Sequence, residues 1–192
     1  QYADFFEERA KIARDKLQRA QLALSEAQKN TDILATDERM DVETMRLNEL
    51  SQQVLALRAL RVESSNRSSQ ARMSPDQSSE VLNNAVVSSL KNQLSSQEAN
   101  LNQLSERLGD NHPQLIEIKA SIKSLRNKIA TETGRVTNSV TSNATINSSR
   151  EGAAAAAYDA QRAKLMRLKE ERSQLSVLER EVDSAQRVYD AI

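Results

Sequence analysis

Small and apolar residues recur at alternating steps of three and four through most of this 192-residue chain. That spacing holds one face of an α-helix against a partner and is the mark of a coiled coil. In the first run, 2–33, the seam is Phe6, Ala10, Ala13, Leu17, Ala20, Leu24 and Ala27, continuing to Thr31 and Leu34. In the second, 37–63, Leu47, Leu50, Val54 and Leu57 keep the spacing, while Leu55 and Leu60 lie off it and widen the face. The third, 79–108, carries Val87, Leu90, Leu94, Gln97, Leu101, Leu104 and Leu108. The fourth begins at Pro113 and carries Ile118, Ile122, Leu125, Ile129, Val136 and Val140. The fifth, 153–192, opens with five alanines. It then places Leu165, Leu168, Arg172, Leu175, Leu178, Val182, Ala185, Tyr189 and Ile192 on the seam, with one three-residue stammer that overwinds the coil locally.

Composition agrees with the spacing. Three Gly and two Pro are too few for the turns of a β-sandwich, a barrel or a Gly-loop nucleotide fold. Hydrophobic residues are 38% of the chain against the roughly 45–50% of globular domains. Aromatics are only 3%, whereas Ala (24) and Leu (21), both good helix formers, are abundant. A thin helical assembly needs no more. The fold class expected is all-α: an elongated antiparallel coiled-coil bundle of four to five long helices, forming a single domain over 1–192.

The breaks follow turn chemistry. Asn30-Thr31-Asp32 reads as a turn, with Asp37 and Asp41 as candidate caps of the second helix. The Ser-rich stretch leading to Ser74-Pro75-Asp76 makes 64–79 a linker, and Pro75 disfavours helix at Ser74. Gly109-Asp110-Asn111-His112-Pro113 reads as a tight helix-to-helix turn, with Gly109 in the left-handed conformation and Pro113 at the first helical position. Residues 137–152 are rich in Ser, Thr and Asn, which compete for backbone hydrogen bonds, and read as a polar break or kink. An even number of passes returns both chain ends to one side, which favours 113–192 as one long helix, kinked, on the order of 120 Å at ~1.5 Å per residue.

The chemistry-bearing residues do not assemble into a catalytic pattern. His112 is the only histidine, and its turn position favours capping over catalysis. Carboxylate pairs such as Glu7-Glu8 and Glu170-Glu171 sit among Lys and Arg and read as solvated helix faces. Gly109, Gly134 and Gly152 are too dispersed for a phosphate loop, and without Cys there are no thiolate metal sites or disulfides. Tyr158 and Tyr189 are candidate sugar-stacking platforms, with seam packing the better account of Tyr189. The hydroxyls and amides of 137–149 are candidates for contact with a polar polymer such as a glycan. Asn66-Arg67-Ser68, Asn143-Ala144-Thr145 and Asn147-Ser148-Ser149 match the glycosylation pattern by chance in so Ser- and Asn-rich a chain. A net charge of zero gives no basic surplus for nucleic acid or anionic lipid. No stretch approaches the roughly 20 apolar residues of a membrane span. Beginning at Gln1, the chain reads as a fragment.

Gly109-Asp110-Asn111-His112-Pro113-Gln114-Leu115, followed by Ile118, Ile122, Leu125 and Ile129, resembles the helix-turn-helix signature of bacterial polysaccharide chain-length determinants, the Wzz-type co-polymerases. Residues 28–43 and 178–190 are similar to the exopolysaccharide subgroup of that family. The resemblance implies an inner-membrane protein of a Gram-negative bacterium, in which membrane helices and an α/β base lie outside this sequence and long helices project into the periplasm. It also implies ring-like homo-oligomers that work with the polymerase and export machinery, and in some members a tyrosine kinase partner. Membrane attachment would come from segments absent here. It implies no cofactor, metal or catalysis in this region, and the five residues 109–113 as a structural turn. The rival readings are a periplasmic adaptor hairpin of a secretion or efflux system, a cytosolic coiled-coil scaffold, an enzyme using His112, and a nucleic-acid-binding rod, the weakest at zero net charge.

Overall fold

The computed structural model describes residues 2–30 and 37–192 and is helical apart from short connections, with no strand among the described residues. Helix α1 covers Tyr2–Asn30 and α2 covers Asp37–Met73. A 3-10 turn at Pro75–Gln77 leads to the short α3, Ser79–Leu82, then α4, Ala85–Ser105, and the 78-residue α5, Pro113–Asp190. The expected turn at 30–32 and the seam positions Thr31 and Leu34 lie outside the described residues, apart from Asn30, which closes α1. Asp41 lies inside α2 and is not its cap. Residues 113–190 form one helix.

The chain divides into two compact units, Gln1–Gln53 with Ala154–Ile192, and Val54–Ala153. In the first, Met40 clusters with Leu165 and Leu168, and Leu47 packs beside them. Asp37 pairs with Arg172 and Glu43 with Lys164. Partners fall along α5 as they rise along α2, so the two segments run antiparallel. On α1, the seam positions Ala10, Ala13, Leu17, Ala20, Leu24 and Ala27 are covered, Ala13 most of all, together with Ala23 beside the seam, whereas Phe6 is exposed.

In the second unit α2 again faces α5 antiparallel, through Arg58 with Glu151, Ser64 with Asn147 and Ser68 with Thr141. Further along α5, Val136 packs with Val81 and Val87, and Glu98 pairs with Arg126. Leu115 is fully buried, with Ile122 and Leu125 also in the core. Leu55 and Leu60, off the seam, are exposed.

Three sequence-based boundaries are corrected. Residues 64–73, expected in a linker, are the last turns of α2. Apart from Arg39 and Ser51, the covered positions on that helix run 40, 43, 47, 50, 54, 57, 61, 64, 68 and 71, a 3-4 alternation whose final members are Arg, Ser, Ser and Ala. The seam never stops; it ceases to be apolar. Residues 137–152, expected as a break, are helical from end to end; two of their hydroxyls bond the helix's own carbonyls, and others face α2. Thr141 Oγ1 donates to the Thr137 carbonyl at 3.0 Å and Thr145 Oγ1 to the Thr141 carbonyl at 3.2 Å. The expected third helix is interrupted at Asn83-Asn84, where Asn84 Oδ1 accepts from the Val87 N–H at 2.9 Å and starts α4. The pre-proline rule holds: α2 ends at Met73, and Ser74 takes φ −142° ahead of Pro75. Arg172 is exposed, and the neighbouring half-buried position is Glu171.

Burial separates two leucines of equal size. Leu115→Ala opens a cavity at a fully covered site and is expected to cost about 2–5 kcal/mol. Leu55→Ala acts on a side chain 60% exposed and is expected to stay within about 0.5 kcal/mol. Urea unfolding of the two variants followed by circular dichroism checks both.

Candidate functional site

The five turn residues expected from sequence lie together between α4 and α5. After Ser105 the chain leaves the helix through turns in which the Arg107 and Leu108 N–H groups both bond the Leu104 carbonyl. The His112 N–H then donates to the Gly109 carbonyl at 3.0 Å, closing a tight turn around Asp110 and Asn111. His112 caps α5. Its carbonyl accepts the first helical bond from the Ile116 N–H, and its Nδ1 accepts from the Gln114 N–H at 3.2 Å. Pro113 follows as the first helical residue, where its missing N–H leaves nothing unpaired. The geometry makes His112 a cap, with its acceptor nitrogen engaged by backbone. Gly109 is not left-handed: no glycine among the described residues has positive φ, and a Cβ on Gly109 would meet nothing within 4 Å. The left-handed cap is unnecessary because α4 ends four residues earlier.

Tyr158 and Tyr189, candidate stacking platforms, are both half-buried at covered positions of α5. The hydroxyl- and amide-rich stretch 137–149 faces residues 61–72 of α2. Asn147 Nδ2 donates to Ser64 Oγ. The buried Ser68 donates to Thr141 Oγ1 at 3.5 Å, and the Thr141 hydroxyl in turn donates to the Thr137 carbonyl. Alongside runs a groove of about 370 Å³, lined by hydroxyls with Arg61 and Arg72. A second polar groove, of about 840 Å³, lies between α4 and α5, where Ser88, Asn92 and Ser96 face Ser121 and Ser124.

A buried carboxylate in the first unit has no apolar signature, and the sequence reading missed it. Glu43, 7% exposed, sits on the seam of α2 and receives Gln161 Nε2, which also donates to the Glu43 carbonyl at 3.1 Å. Lys164 Nζ stands 3.1 Å from the carboxylate. These hydrogen bonds, Gln161's first and Lys164's second, hold the Glu43 carboxyl below the usual 4.5. The signal that finds it is positional: 43 falls on the 3-4 seam, and a charged residue on a seam demands a partner there. In the second unit Glu132 is likewise held low by the Arg135 hydrogen bond. So is Glu151, by the hydrogen bond from Arg58 and then that from Arg61. Among the described residues no group of three or more His, Cys, Asp or Glu is placed to hold a metal, and no helix is long and apolar enough to cross a membrane.

His112→Ala removes the cap and is expected to cost about 1 kcal/mol with helicity otherwise kept, while Gly109→Ala stays within about 0.5 kcal/mol. Thermal melts of the two variants against the parent chain check this pair. Glu43, Glu132 and Glu151 have folded pKa values below their unfolded ones, so the stability they contribute is complete above about 4.5 and is lost as pH falls through the folded values. The triple Gln variant is expected to unfold more readily at pH 7 and to lose less stability than the parent chain on going to pH 3, as read by denaturant midpoints at the two pH values.

Comparison with protein families, with curated proteins and with solved structures finds no match to this chain.

Proposed function

We propose that this chain is the non-catalytic periplasmic helical region of an inner-membrane polysaccharide co-polymerase of the exopolysaccharide type. The observation that carries the reading is the 109–113 turn. The residues of the resembling signature form one compact hairpin connection, with His112 as cap and Pro113 as first helical residue, between α4 and the start of α5. In this reading the 3-4 seams close as an elongated antiparallel coiled-coil bundle, and the outer faces meet neighbouring copies in a ring. The membrane segments and base belong to the longer protein. Its partners are further copies of itself, the polymerase and export machinery and, in some systems, a tyrosine kinase. The region makes and breaks no bond; ring geometry sets how long the polymer grows before release. An adaptor hairpin or cytosolic scaffold shares the helical composition but gives the resembling turn no role.

The test is the size distribution of secreted polysaccharide in cells whose parent protein lacks residues 2–192. A shifted or collapsed distribution, with the truncated protein still in the membrane, is the expected outcome. An unchanged distribution would overturn the assignment.

A further inference from the structure

We propose that the groove between residues 61–72 of α2 and 144–149 of α5 is a binding site for an extended, acidic, hydroxyl-rich polymer, a uronate-containing glycan in chemical class. The inference rests on the polysaccharide reading for the polymer being a glycan; the acidic character comes from the groove itself. Its lining includes two arginines, no carboxylate and no aromatic ring. Arg61 and Arg72 are eleven residues apart on one helix, three turns, which puts them on the same face at roughly 16 Å separation along the axis. One small anion cannot engage both at that spacing, whereas a chain with repeated carboxylates can. Arg61 shares the single Glu151 carboxylate with Arg58, which leaves one net positive charge at that end, and Arg72 makes no ion pair among the described residues. Between them Ser65 and Ser69 on α2 and Ser148 and Ser149 on α5 line the groove, and their hydroxyls make no hydrogen bond among the described residues. Hydroxyl donors and acceptors flanked by guanidinium forks match the hydroxyls and carboxylates of an acidic sugar chain. The missing aromatic surface disfavours a single-stranded nucleic acid, which would stack its bases.

The experiment titrates the whole 192-residue chain with size-fractionated oligogalacturonate, with dextran oligosaccharides of the same length and with oligothymidylate, followed calorimetrically at low salt. Saturable binding of oligogalacturonate is expected, weakened by added salt and about tenfold weaker in Arg72→Gln and in Ser148→Leu. Arg126→Gln, at the exposed pair with Glu98, leaves it unchanged. Both groove variants act on exposed side chains, and unchanged circular dichroism confirms that the helices persist. No saturable oligogalacturonate binding up to about 1 mM overturns the proposal. So does unchanged affinity in both variants, or binding of dextran or oligothymidylate as tight as that of oligogalacturonate. Each of these failures leaves the polymer-length experiment standing as a separate test of the parent assignment.

Discussion

The fold depends on mutual cover between α2 and α5, neither of which has an apolar seam along its whole length. In the second unit the closing seam of α2 is Arg61, Ser64, Ser68 and Ala71. The α5 residues opposite include Thr141, Asn147 and Glu151. Each segment alone reads as a chain with nothing to bury. Placed face to face they satisfy one another: Ser64 with Asn147, Ser68 through Thr141 to the Thr137 carbonyl, and Arg58 and Arg61 on one carboxylate. A buried hydroxyl left unpaired costs about 1–3 kcal/mol, so each of these pairings removes such a penalty, while the buried Thr137 hydroxyl is left without a partner among the described residues. The exposed pair of Arg126 with Glu98, by contrast, contributes little.

Polar seams also decide register. A heptad of leucines facing another heptad tolerates a slip of seven residues, since Leu then meets Leu again. Glu43 does not tolerate it, because its carboxylate needs Gln161 and Lys164 at that level of α5 and would be buried unpartnered elsewhere. The apolar clusters Met40–Leu165–Leu168 and Val81–Val87–Val136 supply attraction in their own units, at about 25 cal/mol per Å² of surface covered. The polar contacts choose which of the near-equivalent alignments is adopted.

This division explains what was legible in the sequence. The seams of α1, α4 and the first part of α5 were readable because Ala, Leu, Ile and Val occupy the covered positions. The start of α5 at Pro113 and the non-helical Ser74 ahead of Pro75 were readable because proline acts through local sterics alone, although α2 runs ten residues past its expected end at 63. The linker expected at 64–79 and the break expected at 137–152 came from reading each polar stretch without its partner, and only tertiary context makes those seams visible. The interruption at Asn83-Asn84 was hidden for the opposite reason: Val81 and Val87 both reach Val136 across it, so the apolar pattern passes through without a gap. Gly109 misled because a glycine after a leucine heptad suggests a left-handed cap, whereas the chain had already left α4 at Ser105. In the candidate site, the turn was legible as a motif. Glu43 and the Arg61–Arg72 groove were not, since both depend on which α5 residues arrive opposite α2.

Folding accounts for only part of the polarity of the second unit. Ser64, Ser68, Thr141 and Asn147 sit in the contact and set its register. Ser65, Ser69, Ser148 and Ser149 do neither; they are exposed and make no hydrogen bond among the described residues. At exposed helical positions Ala is better than Ser by a few tenths of a kcal/mol per residue. Elsewhere this chain uses Ala freely, in a run of five at 153–157. A helix pair selected for stability alone would therefore carry Ala or charged i, i+4 partners at those four positions. Four hydroxyls instead line one groove with two arginines, at a small cost to helix propensity, and the proposed glycan site gives them a role that packing does not.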